Sequence, residues 1–174
     1  MKNVVLLLIC LLVFPAFSVA ADPAKIGVID IQKVLNESEA GKKAKSDLET
    51  LIKSKQTVID EKGKAIEKLK SELEKQASVL SAEARKNKEE ELEKLVREYQ
   101  RLVQDSQAEV KKREGELTDA ILKEVHDLVG QIGEQENYSL VMERGLILYS
   151  EKTLDITNIV LKKYDESKAK SKKL

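Results

Sequence analysis

The sequence has no tryptophan, one histidine, one cysteine and two prolines, and both of its phenylalanines, Phe14 and Phe17, fall in the opening FPAF. Aromatics make up 3% of the residues. Large rings supply much of the buried apolar area of a compact globule, so their scarcity argues against a thick core. The lone His126 has Leu122 and Gly130 four residues away on either side, so no metal ligand pair forms at helical spacing and it reads as a flank residue of an apolar face. One cysteine excludes an internal disulfide. The glycines, at 27, 41, 63, 115, 130, 133 and 145, nowhere make a phosphate-binding loop, so no nucleotide cofactor or other cofactor is expected. Basic and acidic residues balance at 31 each, which gives no strong field for nucleic acid.

What is present begins with MKNVVLLLICLLVFPAFSVA: one lysine, an apolar run from Val4 to Val13, a proline, then small residues. This is the three-part form of a secretory signal peptide, and the run is short for a bilayer. Cleavage fits after Ala20 or Ala21, so residues 1–21 are expected to be removed, with an uncleaved anchor as the alternative. Cys10 leaves with them. The exported chain, 22–174, then has no thiol for catalysis or zinc and carries 30 basic against 31 acidic residues, a net of −1.

KIGVID, residues 25–30, reads as a short strand, and IQKVLNES as a turn or two of helix. Ser38, Glu39 and Gly41 restart a helix. From there the apolar residues fall in heptads: Ile52, Ile59, Ile66, Leu73 and Leu80 in one row, Leu48, Lys55, Lys62, Leu69 and Gln76 in the next. One full aliphatic row beside a half-polar one marks a thin coiled-coil seam. Ser81 caps a second helix near Ala82, which runs to about Gln135 with Val96, Val103, Val110 and Leu117 in one row and Leu92, Tyr99, Ser106, Arg113 and Ala120 in the other. A short connection between two such helices makes them antiparallel neighbours. Beyond Leu117 the stripe widens through Ile121, Leu122, Val125, Leu128, Val129 and Ile132, so this end is meant to be buried.

In ENYSLVMERGLILYSEKTLDITNIVLKKYD, Gly145 separates two apolar runs and suggests a hairpin of roughly 138–143 and 146–150. Asp155 is a plausible N-cap for a last helix bearing Ile156, Ile159 and Val160. Leu140, Val141 and Met142 are consecutive, as are Leu146 to Tyr149, so both strand faces need cover. With the first strand this makes three, and one chain has little to cover them. Self-association, with strands from several copies closing a shared core, is the expected solution.

KIGVIDIQKVLNESEAGKKA, together with LTDAILKEVHDLVGQIGEQENYSLVMERGLILYSEKTLDITNIVLKKY, resembles the Skp/OmpH family of periplasmic chaperones. The order of parts is also that family's: signal peptide, strand, long helical hairpin, a strand pair around Arg-Gly, and a helix starting at Leu-Asp-Ile-Thr. The resemblance implies a mostly α fold with a small β body, in which a long antiparallel coiled-coil hairpin projects from a short-stranded sheet that closes into a barrel on trimerisation. It implies a periplasmic homotrimer that holds unfolded outer-membrane β-barrel proteins in a cavity between its arms, without ATP. On this reading 22–37 and 138–166 form the trimerisation body, 38–137 the arm with its tip near 79–82, and 167–174 a disordered lysine-rich tail. The near-neutral charge departs from the basic character of familiar members. Residues 41–80 hold 10 basic and 7 acidic residues, residues 113–137 hold 2 and 7, and no basic motif matches the family's lipopolysaccharide site.

Three groups of residues carry the functional expectations. Leu51, Val58, Ala65, Leu95 and Leu102 line a further heptad row where charge is common, and either touch clients or widen the seam. Ile26, Val28, Leu140, Met142, Leu146 and Leu148 are the expected core of the trimer body. Lys55, Lys62 and Arg113 interrupt the seam, and with Gly63 suggest a flexible arm, although a lysine stem can also lie across a seam with its amine in water. The tail lysines Lys168, Lys170, Lys172 and Lys173 leave open a weak contact with membrane or lipopolysaccharide. A holdase is the leading function, a structural spacer or adaptor of the envelope the alternative. An enzyme has no support in one histidine and no exported cysteine.

Overall fold

The computed structural model describes residues 24–171, so the expected signal peptide with Cys10, and the lysines Lys172 and Lys173, lie outside the described residues. The chain runs β1 (Ile26–Ile29), α1 (Ile31–Glu37), α2 (Glu39–Gln76), α3 (Ala82–Gln135), β2 (Leu140–Glu143) and α4 (Thr157–Ser171), with single 3-10 turns at Arg144–Leu146 and Lys152–Leu154.

Local chemistry sets each boundary. Asp30 ends β1 and its side chain accepts from the Lys33 backbone N–H at 2.8 Å, capping α1. Ser38 is a one-residue break in extended geometry, fully buried: its N–H closes α1 on the Val34 carbonyl and its hydroxyl accepts from Gly41 N–H at 3.0 Å to open α2. Ser81 repeats the device at the far end, accepting from Ala84 N–H at 3.2 Å with Glu83 in the first turn of α3. The last turn of α3 closes through Asn137, whose φ of 58° lets Tyr138 N–H reach the Gly133 carbonyl at 2.9 Å.

With 38 and 54 residues, α2 and α3 are roughly 55 and 80 Å long. They pair antiparallel as an arm: Lys88 meets Glu72, Lys62 meets Glu98 and Lys55 meets Glu109, the α3 partner advancing as the α2 partner recedes. The body end of α3 does what its widened stripe requires. Ile121, Val125 and Ile132 are buried with Ile29, Val34, Ile156, Val160 and Tyr164 in one cluster, and Leu128 and Val129 pack against it. Each such side chain removed from water is worth about 1.5–3 kcal/mol. This small core joins the sheet, α1, the base of the arm and α4.

The β body differs from expectation. Among the described residues the sheet has two strands, open and uncurled, rather than three strands closing into a barrel. β2 does not fold back on residues 146–150. It pairs in parallel with β1, in the register Ile26↔Leu140 to Ile29↔Glu143, so the whole arm is the crossover between two parallel strands. The reason lies at Arg144–Leu146, which winds into a 3-10 turn with Ile147 N–H on the Arg144 carbonyl at 3.0 Å. Gly145 has no positive φ there, so the hairpin turn it suggested does not form. The other side of β1 is taken by a bridge to Asp155.

The tail also differs. α4 continues to Ser171, so residues 167–171 are helical rather than disordered. Lys168 is tied to Glu124 of α3, an anchor that composition does not reveal.

Candidate interaction surfaces

The parallel register puts Ile26, Leu140, Val28 and Met142 on one face of the sheet. The other face meets the helices: Ile29 is buried, Val141 packs on the core, and at Gly27 an added Cβ would sit 3.0 Å from Ile156 Cδ1 and 3.2 Å from Tyr138 Cε1. On the outer face only Val28 is buried, while Ile26, Leu140 and Met142 are exposed. Beside them Leu146, Leu148 and Tyr149 are 79%, 107% and 82% exposed, as open as side chains become. The six residues expected to form the body core therefore include five that face solvent in the single chain. Ile26, Met142, Leu146, Leu148, Tyr149 and Leu154 border a groove of about 430 Å³. A contiguous apolar patch of this kind marks an interaction surface.

The turn that carries this patch is held by charge. Arg144 Nη2 donates to Asp155 Oδ2 at 2.5 Å, and its Nε lies 3.9 Å from Asp30 Oδ2. Asp155 uses its other oxygen, Oδ1, to accept from Thr157 N–H at 2.9 Å, so it also begins α4. Burial raises the Asp155 carboxyl, but bonds from Thr157 and the Arg144 charge outweigh it and hold the group below its ordinary value. Thr157 in turn accepts from Asp30 N–H at 2.9 Å. Sequence reading missed Arg144 because an arginine beside a glycine looks like turn decoration until Asp155 is placed next to it.

Along the arm, the seam lysines are engaged. Lys55 Nζ reaches Glu109 at 2.6 Å and Lys62 Nζ reaches Glu98 at 2.7 Å, while Lys88 reaches Glu72 at 3.1 Å. Hydrogen bonds from Lys62 and Lys88, then their charge, lower the carboxyls of Glu98 and Glu72. Arg113 is exposed and pairs with Glu116 on its own helix at 3.3 Å, and among the described residues it has no ion pair across the arm. Gly63 faces Tyr99, with room for a Cβ 3.7 Å from Cε2. Of the further heptad row, Leu51, Leu95 and Leu102 are half-buried and Val58 and Ala65 exposed. Near the base half of the arm the helices leave a groove of about 500 Å³ bordered by Ile52, Ile59, Ser106 and Val110, with Lys55 and Glu114 at its rim. Ile52, at 45% exposure, does not fill the seam it was read as filling.

At the arm base Tyr164 Oη donates to Glu124 Oε2 at 2.5 Å, and Lys168 Nζ sits on the same carboxylate. Burial raises the Glu124 carboxyl, while the bonds from Lys168 and Tyr164 more than offset it and leave the value lowered. Tyr164 is raised well above its usual range, by burial first and by Glu124 second. His126 is 91% exposed at its side chain. Among the described residues no group of three or more His, Cys, Asp or Glu is placed to hold a metal ion, and no helix is long and apolar enough to cross a membrane.

These parts, a crossover arm on a small two-stranded body, match a known family. A family model for OmpH-like outer membrane proteins matches residues 25–164. The chain belongs to the OmpH-like family. This OmpH-like chain also resembles the crystal structure of a protein described as an OmpH-like outer membrane chaperone from Caulobacter crescentus CB15. The TM-score is 0.78 at 18% identity, covering 84% of this chain and 86% of that one. At that identity the likeness speaks for the fold. No curated protein sequence matches.

Proposed function

We propose that this OmpH-like chain is a periplasmic chaperone, an ATP-independent holdase for unfolded outer-membrane β-barrel proteins that works as a homotrimer. The observation that carries the reading is the arm. Two helices of 38 and 54 residues extend from a body too small to cover them, so most of their surface is offered to something else. The Caulobacter protein of the same fold is described as a chaperone, which supports the class.

The exposed sheet face supports association. Ile26, Leu140, Met142, Leu146, Leu148 and Tyr149 form an apolar surface that a lone chain leaves in water, and a copy of itself is the economical cover. Three arms joined at one body hold a client by many weak contacts from Leu51, Val58, Ala65, Leu95 and Leu102. Linkage raises their effective concentration, so avidity replaces a deep pocket. Contact with anionic lipid or lipopolysaccharide falls to Lys170 and the lysines beyond it, since Lys168 is already paired.

The spacer reading has one observation in its favour: the seam lysines are bridged to glutamates, which stiffens the arm. One experiment separates the two. Urea-unfolded outer-membrane β-barrel protein is diluted with and without the exported chain, followed by light scattering and then sedimentation of the mixture. A holdase suppresses scattering and cosediments with client at one client per three chains or fewer. A spacer leaves the scattering unchanged.

A further inference from the structure

We infer that Arg144 is an assembly-positioning residue: its bond to Asp155 clasps the two ends of the loop 145–154 and presents Leu146, Leu148 and Tyr149 as a preformed docking edge for a second copy of the chain. The inference rests on the self-association proposed above and adds the device that prepares it.

The loop has ten residues and leaves the body between Arg144 and Asp155. Its middle has almost nothing to hold it. Among the described residues, no backbone hydrogen bond reaches Leu148, Tyr149 or Ser150, and these stand beside side chains exposed by 79% and more. The ends are another matter. On one side Ile147 N–H closes the 3-10 turn on Arg144, and on the other Leu154 and Asp155 N–H close a turn on Glu151 and Lys152. Both ends also lie against β1, which pairs with Glu143 on one side and bridges Asp155 on the other, with Ile156 N–H on the Val28 carbonyl at 2.9 Å. Among the described residues Arg144 is the side chain that links them directly, with Nη2 on Asp155 Oδ2 at 2.5 Å and Nε toward Asp30 at 3.9 Å. The guanidinium fork thus gathers the end of β1, the end of β2 and the start of α4 at one point, which a lysine's single ammonium does not reproduce.

A second copy suits this edge because each copy carries both halves of a pairing. Among the described residues no strand pairs with β2 on the side away from β1, and no backbone hydrogen bond reaches residues 148–150. An open edge takes an extended segment. A loop already closed at its base loses less freedom on docking, so closure strengthens association without adding a contact.

The test compares wild type with Arg144→Gln and Asp155→Asn. The second substitution keeps a side-chain oxygen for the Thr157 N–H, so it removes the clasp and spares the α4 cap. Sedimentation across a dilution series gives association, circular dichroism gives helix content, and hydrogen exchange resolved to residues 145–154 gives loop closure. Both variants are expected to keep wild-type helix content, to exchange faster in 145–154, and to dissociate at about tenfold higher concentration. Association equal to wild type would overturn the inference, as would weaker association with unchanged loop exchange, which makes Arg144 an ordinary contact. A wild-type chain that stays monomeric at every concentration defeats the self-association reading itself, and the clasp's role with it.

Discussion

Gly41 and Leu35 meet so closely that a Cβ added to Gly41 would lie 1.7 Å from the Leu35 carbonyl oxygen. The obstacle is backbone, so neither side has a rotamer by which to yield. Here α1 turns into α2 across the single buried residue Ser38, and glycine lets the arm start against the body. Gly41→Ala is expected to cost about 3 kcal/mol in urea unfolding, the upper end of the usual cost of overpacking, because the obstacle is backbone. Ser38→Ala removes the cap on Gly41 N–H and is expected to cost about 1–2 kcal/mol. Equal effects, or a smaller one for Gly41→Ala, would show that the junction relaxes more freely than its geometry suggests.

Acid acts on the same end of the molecule. The folded Glu124 carboxyl is held below its unfolded value, so its contribution is full above about pH 4.5 and is lost as pH falls through the folded value. Tyr164 has the opposite sign: its folded value is raised, so its contribution is present below about pH 10 and is lost as pH rises further. α4 should therefore loosen from α3 at both extremes. Exchange of amides 157–171 between pH 6 and pH 3.5, corrected for intrinsic rate, measures the acid side. Glu124→Gln keeps an acceptor for Tyr164 and is expected to flatten that limb. An unchanged acid limb in the variant would assign the loosening to other carboxylates.

Much of this architecture could be read from residues alone, and the division has physical causes. The strand at Ile26–Ile29, the caps at Ser38 and Ser81 and the long helices all rest on local signals: heptad rows, hydroxyls before acids, absence of proline. The widened stripe at Ile121 to Ile132 likewise told which end of the arm is buried. What failed was non-local. Gly145 between two apolar runs fits a hairpin, but whether the strands meet depends on Arg144 finding Asp155 and on β1 taking the edge of β2, neither of which has a sequence period. The lysine-rich end looked disordered for the same reason, since its helix is held by Glu124, 44 residues before Lys168. In the arm, Lys55 and Lys62 were visible as interruptions, whereas their partners Glu109 and Glu98 follow no heptad position in common.

Gly63 offers a direct test of arm flexibility. Its added Cβ would make an ordinary contact at 3.7 Å with Tyr99, so alanine fits without strain. Alanine within a helix is more stable than glycine by about 1 kcal/mol. Gly63→Ala is expected to slow amide exchange locally in α2 and leave residues 117–132 as they were. In the wild type, exchange in 53–65 should exceed that in 117–132, where the core covers the helix. High salt should widen the difference by screening the exposed Lys62–Glu98 pair. If alanine changes neither exchange nor client retention, the arm is not working through a soft point at Gly63.

The row Leu51, Val58, Ala65, Leu95 and Leu102 separates client binding from arm packing. Exposed Val58 and Ala65 have little to lose inside the arm, whereas half-buried Leu51, Leu95 and Leu102 give up apolar contact when shortened. Serine at all five positions therefore mixes two effects, and the exposed pair must be changed separately. If the row touches clients, Val58→Ser with Ala65→Ser lowers retention of an unfolded β-barrel client severalfold while melting temperature and oligomeric state stay put. If the row only broadens the seam, that pair is silent, and the leucine changes lower the melting temperature by about 2–4 °C for each kcal/mol lost. Retention measured against melting temperature across the set distinguishes the cases: points that fall together on one line indicate packing, and a drop in retention at constant melting temperature indicates contact with the client.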